Sequence, residues 1–155
     1  MSNKIITGLV GSILLATGPS ALAAVVSFTG TITGSCTLSI STPGTLKLNS
    51  GGSILSSEEL GALPAVVAVI AVGGQPTINF TAPTFTTTPS GYNHTPVVEM
   101  KYASLGGGNQ AYTSGTSSYT ASLLLDVITV NAKATDTGGF LAGTYVIGTT
   151  ATCQQ

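Results

Sequence analysis

The chain has 155 residues, of which only 6% are charged, and its formal net charge at pH 7 is −1. Arg and Trp are absent, and Ser and Thr together make up more than a quarter of the residues. Because no basic cluster is available to neutralise phosphates, the composition excludes nucleic acid as an expected partner. Thr and Val suit pleated strands while the strong helix formers are scarce, which predicts an all-β protein.

Residues 1–23 have the layout of a secretory signal peptide. Lys4 precedes an apolar segment over 5–16, and the small-residue sequence Ala-Leu-Ala follows at 21–23. A membrane anchor is the alternative, but a spanning helix needs about 20 apolar residues, more than this segment supplies. We predict cleavage after residue 23 and one secreted domain over 24–155 without a membrane span. Its expected location is outside the cytoplasm.

The first strand of the mature chain is predicted over residues 25–40. Apolar side chains fall on even positions and hydroxyl side chains on most odd ones, which is the period of a half-buried strand. Gly30 and Gly34 share the apolar face, where a missing side chain lets another backbone approach closely. The residues predicted to face the core are Val26, Phe28, Ile32, Cys36, Leu38 and Ile40.

Cys36 and Cys153 are the only two cysteines of the chain. In an oxidising compartment such a pair is most simply a structural disulfide, and two thiols without neighbouring His or Cys cannot make a zinc site. We therefore predict a Cys36–Cys153 bond that ties the first strand to the last. The alternative is a pair of free or intermolecular thiols, which requires those strands to lie apart.

The middle of the chain contains one helical signal and one long apolar run. Ser56 and Glu59 have capping-box spacing, which predicts one or two helical turns after a short strand at 45–48. Glu58 and Glu59 would diverge on a helix, so they do not indicate an acid–base pair. Residues 65–72 form the most apolar run of the mature chain, which predicts a central strand buried on both faces.

Four further strands are predicted, over residues 77–80, 97–104, 119–134 and 143–153. The Thr- and Pro-rich stretch 83–91 predicts an edge segment or loop, and 105–118 predicts a long exposed loop or an irregular hairpin around Tyr112. The last two strands are predicted to form a C-terminal hairpin. Seven or eight strands without long helices predict two antiparallel sheets packed as a sandwich.

His94 is the single histidine and the only candidate base for a Ser-His-Asp triad, with Asp126 or Asp136 as the orienting group. No nucleophile motif accompanies it, so a solvated loop histidine is the simpler interpretation. Asp136 begins a polar turn whose oxygen ligands fall short of the six to eight that Ca²⁺ needs. We predict no catalysis, no metal and no cofactor. Tyr92, His94 and Tyr112 are the candidate contact residues of the two irregular stretches.

Short motifs near both ends carry a family resemblance. The sequence Phe-Thr-Gly-Thr-Ile at 28–32, followed by Cys-Thr-Leu at 36–38, resembles the opening of chaperone–usher fimbrial subunits, including the spore-coat-U-like pilins. The sequence Leu-Ala-Gly-Thr-Tyr at 141–145 is similar to the element that introduces the last strand in the spore-coat-U-like group. The resemblance implies an immunoglobulin-like sandwich that is located in the periplasm, at the cell surface or in a fimbrium and has a role in fimbriae, adhesion or biofilm.

Three features depart from that family pattern. Few residues separate the predicted cleavage position from the first strand, whereas donor-strand polymerisation in this class uses an N-terminal extension. The second cysteine, Cys153, comes at the end of the chain, and the penultimate residue is Gln154 instead of Tyr. These departures favour a self-complete sandwich whose own last strand fills the core.

We therefore expect a secreted, non-enzymatic, fimbrial-like protein with a structural or adhesive role at the cell surface or in a biofilm matrix. Its expected partners are further copies of itself, other surface subunits or surface glycans. The alternative is a standalone periplasmic or extracellular binding module for glycans, in which Tyr92 and Tyr112 would stack on sugar rings.

Overall fold

The computed structural model describes residues 27–155. The chain divides into two units, Met1–Gly30 and Thr31–Gln155. Residues 27–30, the described part of the first unit, are exposed and belong to no strand. The predicted signal peptide and residues 25–26 of the predicted first strand lie outside the described residues.

Residues 31–155 form an all-β fold of antiparallel strands, and residues 27–155 contain no helix. The all-β prediction is confirmed, although the described residues contain twelve mostly short strands instead of seven or eight. These strands are Ser35–Thr42 (β1), Lys47–Leu48 (β2), Ile54–Ser56 (β3), Ala65–Val72 (β4), Thr77–Phe80 (β5), Thr84–Thr87 (β6), Val97–Ser104 (β7), Asn109–Thr113 (β8), Ser117–Thr120 (β9), Leu125–Thr135 (β10), Val146–Gly148 (β11) and Ala151–Gln154 (β12).

The largest sheet has seven strands and is built around β10. Residues 125–130 of β10 pair with β4, and residues 133–135 pair with β3 on the same edge. Residues 128–135 pair with β7 on the opposite edge. The sheet continues through β1 beyond β4, β2 beyond β3 and β8 beyond β7. Both edges of β10 are thereby occupied along most of its length.

Two smaller sheets complete the fold, with strand orders β12-β5-β9 and β11-β6. Alternate residues of β4, β7 and β10 point inward and meet those of β5, as the period-2 pattern requires. One hydrophobic core therefore joins the seven-stranded and three-stranded sheets. Its buried side chains are Val67, Val69, Ile78, Phe80, Met100, Tyr102, Ile128 and Val130.

The predicted first strand begins later than expected. Cys36 and Leu38 are half-buried against the core as predicted, but Phe28 is 94% exposed and Ile32 is 78% exposed. The ladder of β1 with β4 starts at the Ser35–Val72 pair, and β4 ends just before Gly73, whose φ of 97° does not continue a strand. Residues 31–34 consequently have no strand beside them in this ladder.

The central strand has the predicted bounds, since β4 spans Ala65–Val72. Its burial on both faces is a wrong prediction, because Ile70 and Val72 on the outer face are about half exposed. The predicted helical turns are also absent from the described residues. Ser56 ends β3 instead, and its hydroxyl accepts a hydrogen bond from the Glu58 backbone N–H at 3.1 Å.

The predicted C-terminal hairpin is wrong. The predicted strand over 119–134 is divided into β9 and β10, which belong to different sheets, and the predicted strand over 143–153 is divided into β11 and β12. β11 pairs with β6 and β12 with β5, because β4, β3 and β7 already occupy the edges of β10. The stretch 83–91 does supply an edge strand, β6, as expected.

Candidate functional site

An apolar groove, which we call the core groove, opens between β1 and the stretch 145–151 that carries β11 and the start of β12. It has a volume of about 880 Å³. Core side chains form its floor, namely Val67, Phe80, Met100 and Val130. Its sides include Leu38, Ile40, Leu46, Pro83, Tyr145, Val146 and Ile147. The groove therefore brings the hydrophobic core to the surface along one side of the fold.

Unpaired strand edges border the core groove. β1 pairs with β4 along one edge only, and β11 and β12 each pair with a single strand. Within residues 27–155, no strand occupies the space between them. Ile40 shows the consequence, because it lines the groove yet remains 72% exposed. An unpaired edge presents a row of backbone N–H and C=O groups that a further strand can bind.

The disulfide closes one end of the core groove. Cys36 of β1 is bonded to Cys153 of β12 with a Cα–Cα distance of 5.9 Å, which confirms the predicted pairing. Leu38 on β1 and Ala151 on β12, each two residues from a bonded cysteine, are the nearest groove-lining residues of their strands. The two strands are therefore tied together at the disulfide and separate beyond it.

Asp136 organises a second site in the turn after β10. Its Oδ2 lies 2.6 Å from the Tyr92 hydroxyl, which donates to it, and 2.6 Å from His94 Nδ1. Its Oδ1 accepts a hydrogen bond from the Gly138 backbone N–H at 2.8 Å. The side chain of Asp136 is almost entirely buried, whereas that of His94 is partly exposed. The sequence candidates Tyr92 and His94 are thus brought together on one carboxylate.

These contacts define the electrostatics of the second site. The hydrogen bond from Tyr92, reinforced by those from His94 and Gly138, holds the pKa of the Asp136 carboxyl below its usual range. Burial raises the pKa of the Tyr92 phenol, and the adjacent Asp136 carboxylate raises it further. The lowered pKa of Asp136 and the raised pKa of Tyr92 both mean that an ionised carboxylate beside a protonated phenol is the favoured state. The site therefore favours one fixed hydrogen-bonded arrangement.

The His94–Asp136 pair has the geometry of two members of a catalytic triad. In the part of the chain that the structure describes, no serine or threonine hydroxyl hydrogen-bonds to the His94 ring. Nor does any group of three His, Cys, Asp or Glu side chains in residues 27–155 come close enough to hold a metal ion. The arrangement can position an imidazole and anchor a turn.

Aromatic packing surrounds the second site. Tyr92 stacks on Phe140 with ring centroids 5.9 Å apart and meets Tyr145 edge-on at 5.2 Å. Phe85 contacts the same three rings. The sequence did not single out Phe85 or Phe140, because aromatic contacts between distant segments leave no local pattern. Tyr145 also lines the core groove, so this aromatic cluster packs behind one side of the groove.

Tyr112, the third sequence candidate, contacts a different set of residues. It lies in β8, and its hydroxyl donates to Glu58 at 2.7 Å. The ammonium groups of Lys101 and Lys133 lie 5.0 and 4.3 Å from its ring centroid. Burial and the Glu58 hydrogen bond raise the pKa of Tyr112 to about 12. Lys101 also pairs with Glu58 at 2.7 Å and Lys133 with Glu99 at 2.9 Å, so the charges around Tyr112 cancel.

Asp126, the other candidate orienting acid, is buried far from any base. Its carboxylate accepts hydrogen bonds from the Gly106 backbone N–H at 2.7 Å and the Tyr119 hydroxyl at 2.8 Å. Burial, and then the Asp126 carboxylate, raise the pKa of Tyr119. Asp126 therefore ties the turn after β7 to β9 and β10, and the structure does not bring it to His94.

Comparisons with protein-family models, with curated proteins and with solved structures found no match for this chain. The described residues contain no helix that is long and apolar enough to cross a membrane. The function of the chain is therefore inferred from its fold and from the sites described above.

Proposed function

We propose that the mature chain is a secreted, non-enzymatic, fimbrial-like subunit with an immunoglobulin-like sandwich fold. In this proposal it assembles in the periplasm, at the cell surface or in a fimbrium, by accepting a β-strand from another chain in the core groove. The proposal replaces the self-complete sandwich favoured by the sequence, because the last strand, β12, pairs with β5 and leaves the core groove open. The observation that carries the proposal is an apolar groove, floored by the hydrophobic core, between strand edges that have no partner strand within residues 27–155.

The core groove has the chemistry of a strand acceptor. In β-augmentation, backbone hydrogen bonds to an exposed edge supply affinity, and pockets for alternate side chains supply specificity. The free edge of β1 offers the backbone groups, and the floor offers apolar contacts to Met100 and Phe80. An inserted strand would cover Ile40, which is 72% exposed. Binding would therefore bury apolar surface and pair an open edge in one step.

A segment that could serve as the donor strand lies just before β1 in the same sequence. Phe28 and Ile32 are 94% and 78% exposed, and both belong to the alternating pattern that precedes β1. A strand inserted into a groove directs every second side chain to the floor. Phe28 and Ile32 would enter as apolar anchors, and Gly30 between them allows close backbone approach. Another copy of the chain can therefore supply the strand.

The second function considered from the sequence, a glycan-binding module, needs free aromatic faces for stacking. Tyr92 instead stacks on Phe140, and two lysine ammonium groups lie over the Tyr112 ring. No contact of Tyr92 or Tyr112 specifically favours sugar binding. We therefore propose assembly as the function, with adhesion as its outcome at the surface.

The first prediction concerns strand exchange in the purified mature chain, residues 24–155. Wild type should give an unboiled denaturing-gel ladder at monomer multiples that collapses on boiling. Ile32→Asp places a charge in the donor strand and Ile40→Asp places one in the acceptor groove, so each variant should run as a monomer. Leu60→Asp is the matched control, because Leu60 is 99% exposed outside the groove. That variant should keep the ladder.

Mixing the two variants tests the pairing directly. Ile32→Asp retains an intact groove and Ile40→Asp retains an intact donor strand, so a mixture should form dimers but no longer species. A wild-type chain that remains a single monomer band at every concentration would overturn strand exchange. A ladder that survives in both single variants would overturn the assignment of donor and groove.

A further inference from the structure

Five large aliphatic side chains are exposed together on the outer face of the seven-stranded sheet. We call this set the outer-face patch. Its members are Ile70, Val72, Leu105, Leu125 and Val127, which are between 41% and 75% exposed. They come from β4, β10 and the turn after β7. All lie on the side opposite the hydrophobic core, since their strand neighbours Val69, Ala71, Asp126 and Ile128 are buried.

The register of the sheet makes the outer-face patch contiguous. Leu125 is directly opposite Ile70 in the β10–β4 ladder, and Val127 is the next outward residue of β10. The Leu105 backbone N–H donates to the Val127 carbonyl at 3.2 Å, which places the turn after β7 beside it. Directly opposed residues in antiparallel strands have Cβ atoms about 5 Å apart. The patch is therefore one surface and not scattered exposure.

The size of the outer-face patch indicates an interface. From the exposed fractions, its five side chains leave on the order of 500 Å² accessible, which is comparable to the largest apolar patch of a typical soluble monomer, a patch that is often functional. Two such patches packed together would bury about 1,000 Å² from these side chains alone, which reaches the threshold for a specific protein interface. The neighbouring residues Ser35, Thr37 and Thr129 supply an uncharged polar rim.

The shape and charge of the surface around the outer-face patch indicate which kind of partner it binds. Small ligands need concave sites, and neither the core groove nor the cavity beside His94 is lined by patch residues. Anionic membranes attract free basic side chains, but Lys101 and Lys133 on this sheet are paired with Glu58 and Glu99, and Lys47 lies in β2, which carries no residue of the patch. An apolar sheet face is complemented by a second sheet face packed about 10 Å away.

We propose that the outer-face patch is the interface of a two-fold homodimer, in which the seven-stranded sheets of two copies pack face to face. An apolar, uncharged patch is compatible with its own copy, and closed two-fold dimers are the commonest protein assemblies. This interface lies on the opposite side of the sheet from the core and is separate from strand exchange in the core groove. Neither assembly depends on the other.

The test measures self-association of residues 24–155 carrying Ile32→Asp, which removes the proposed donor strand. Sedimentation velocity at micromolar to millimolar concentrations should show a reversible monomer–dimer equilibrium. Ile70→Thr with Leu125→Thr places β-branched, strand-compatible side chains at both positions and should weaken dimerisation at least about tenfold. Val97→Thr is the matched control, because Val97 is 56% exposed on the same sheet outside the patch. It should leave the equilibrium unchanged.

Three results would overturn the proposal. They are a monomer at every concentration, a double variant that dimerises like the parent, and an equal loss in Val97→Thr. Binding of the monomeric parent to phosphatidylglycerol vesicles without dimerisation would reassign the patch to lipid and also overturn it. If the double variant fails to fold, Val127→Thr alone should still weaken the dimer. Because Ile32→Asp is present throughout, failure of strand exchange leaves these outcomes unaffected.

Discussion

At the scale of single residues, Asp136 concentrates the polar chemistry of the turn after β10. Tyr92, His94 and the Gly138 backbone donate to one carboxylate, and the pKa of Asp136 is depressed by these donors, chiefly by Tyr92. A carboxyl whose pKa is lower in the folded chain than in the unfolded chain stabilises the fold above its unfolded pKa. That stabilisation is lost as the pH falls through the folded pKa.

Tyr92→Phe should therefore lower stability in a pH-dependent way. It removes the hydroxyl donor but keeps the ring packed on Phe140, so the pKa of Asp136 should rise toward its ordinary value. The urea midpoint should fall relative to wild type at pH 7, and the difference should shrink as Asp136 becomes protonated below about pH 4. Carbon-detected NMR titration of the Asp136 carboxyl measures the pKa directly.

Tyr145→Phe provides the control for this prediction. It removes a hydroxyl from the same aromatic cluster, but that hydroxyl donates to the Leu141 carbonyl at 3.0 Å and not to Asp136. Its effect on the urea midpoint should not vary across the acid range in which Asp136 titrates. A stability difference for Tyr92→Phe that stays constant between pH 7 and pH 3 would contradict the role assigned to Asp136.

Gly106 is a residue at which the structure leaves no room for a side chain. A Cβ atom at this position would lie 2.5 Å from Asp126 Oδ2 and 3.2 Å from the Ala121 methyl group. Gly106→Ala should therefore push the buried carboxylate from its partners and cost about 1–3 kcal/mol of unfolding free energy. Gly74→Ala is the control, because a Cβ there meets nothing within 4 Å. Equal denaturant midpoints for the two variants would contradict this assignment.

At the scale of elements, the disulfide determines how β1 and β12 lie at the end of the core groove. The two cysteines are separated by 117 residues, so the bond restricts nearly all of the described chain in the unfolded state. Replacing both by Ser should lower the unfolding free energy by about 2–5 kcal/mol, measured by denaturant titration. The ends of β1 and β12 should also exchange their backbone protons faster.

Reduction of the wild-type chain is the matched comparison for that prediction. Reduced wild type and the Cys36→Ser, Cys153→Ser variant should unfold at the same denaturant concentration, since both lack the same crosslink. A double variant as stable as oxidised wild type would show that packing alone holds β1 against β12. The disulfide would then have no part in shaping the groove.

At the scale of the whole molecule, the seven-stranded sheet presents two apolar surfaces. The core-facing side of β1 borders the core groove, and the outer sides of β4 and β10 carry the outer-face patch. Strand exchange and face-to-face pairing would therefore use opposite sides of one sheet. A subunit that uses both could be joined end to end and side by side without competition between the two contacts.

The sequence patterns predicted the bounds of several strands correctly but did not predict which strands pair with each other. The bounds 65–72, 77–80 and 97–104 match β4, β5 and β7, because period-2 alternation is a local property of the chain. The C-terminal hairpin failed because β10 has β7 on one edge and β4 and β3 on the other. Which strands compete for an edge depends on segments far apart in sequence.

Composition, period-2 alternation and the presence of only two cysteines were enough to predict an all-β fold and a Cys36–Cys153 bond, and both predictions are confirmed in residues 27–155. The tertiary structure was needed to show that Ile32 is exposed, that a groove opens beside β1, and that Tyr92 and His94 both contact Asp136. An alternating apolar pattern specifies only that one face of a strand is hydrophobic. What covers that face depends on non-local packing.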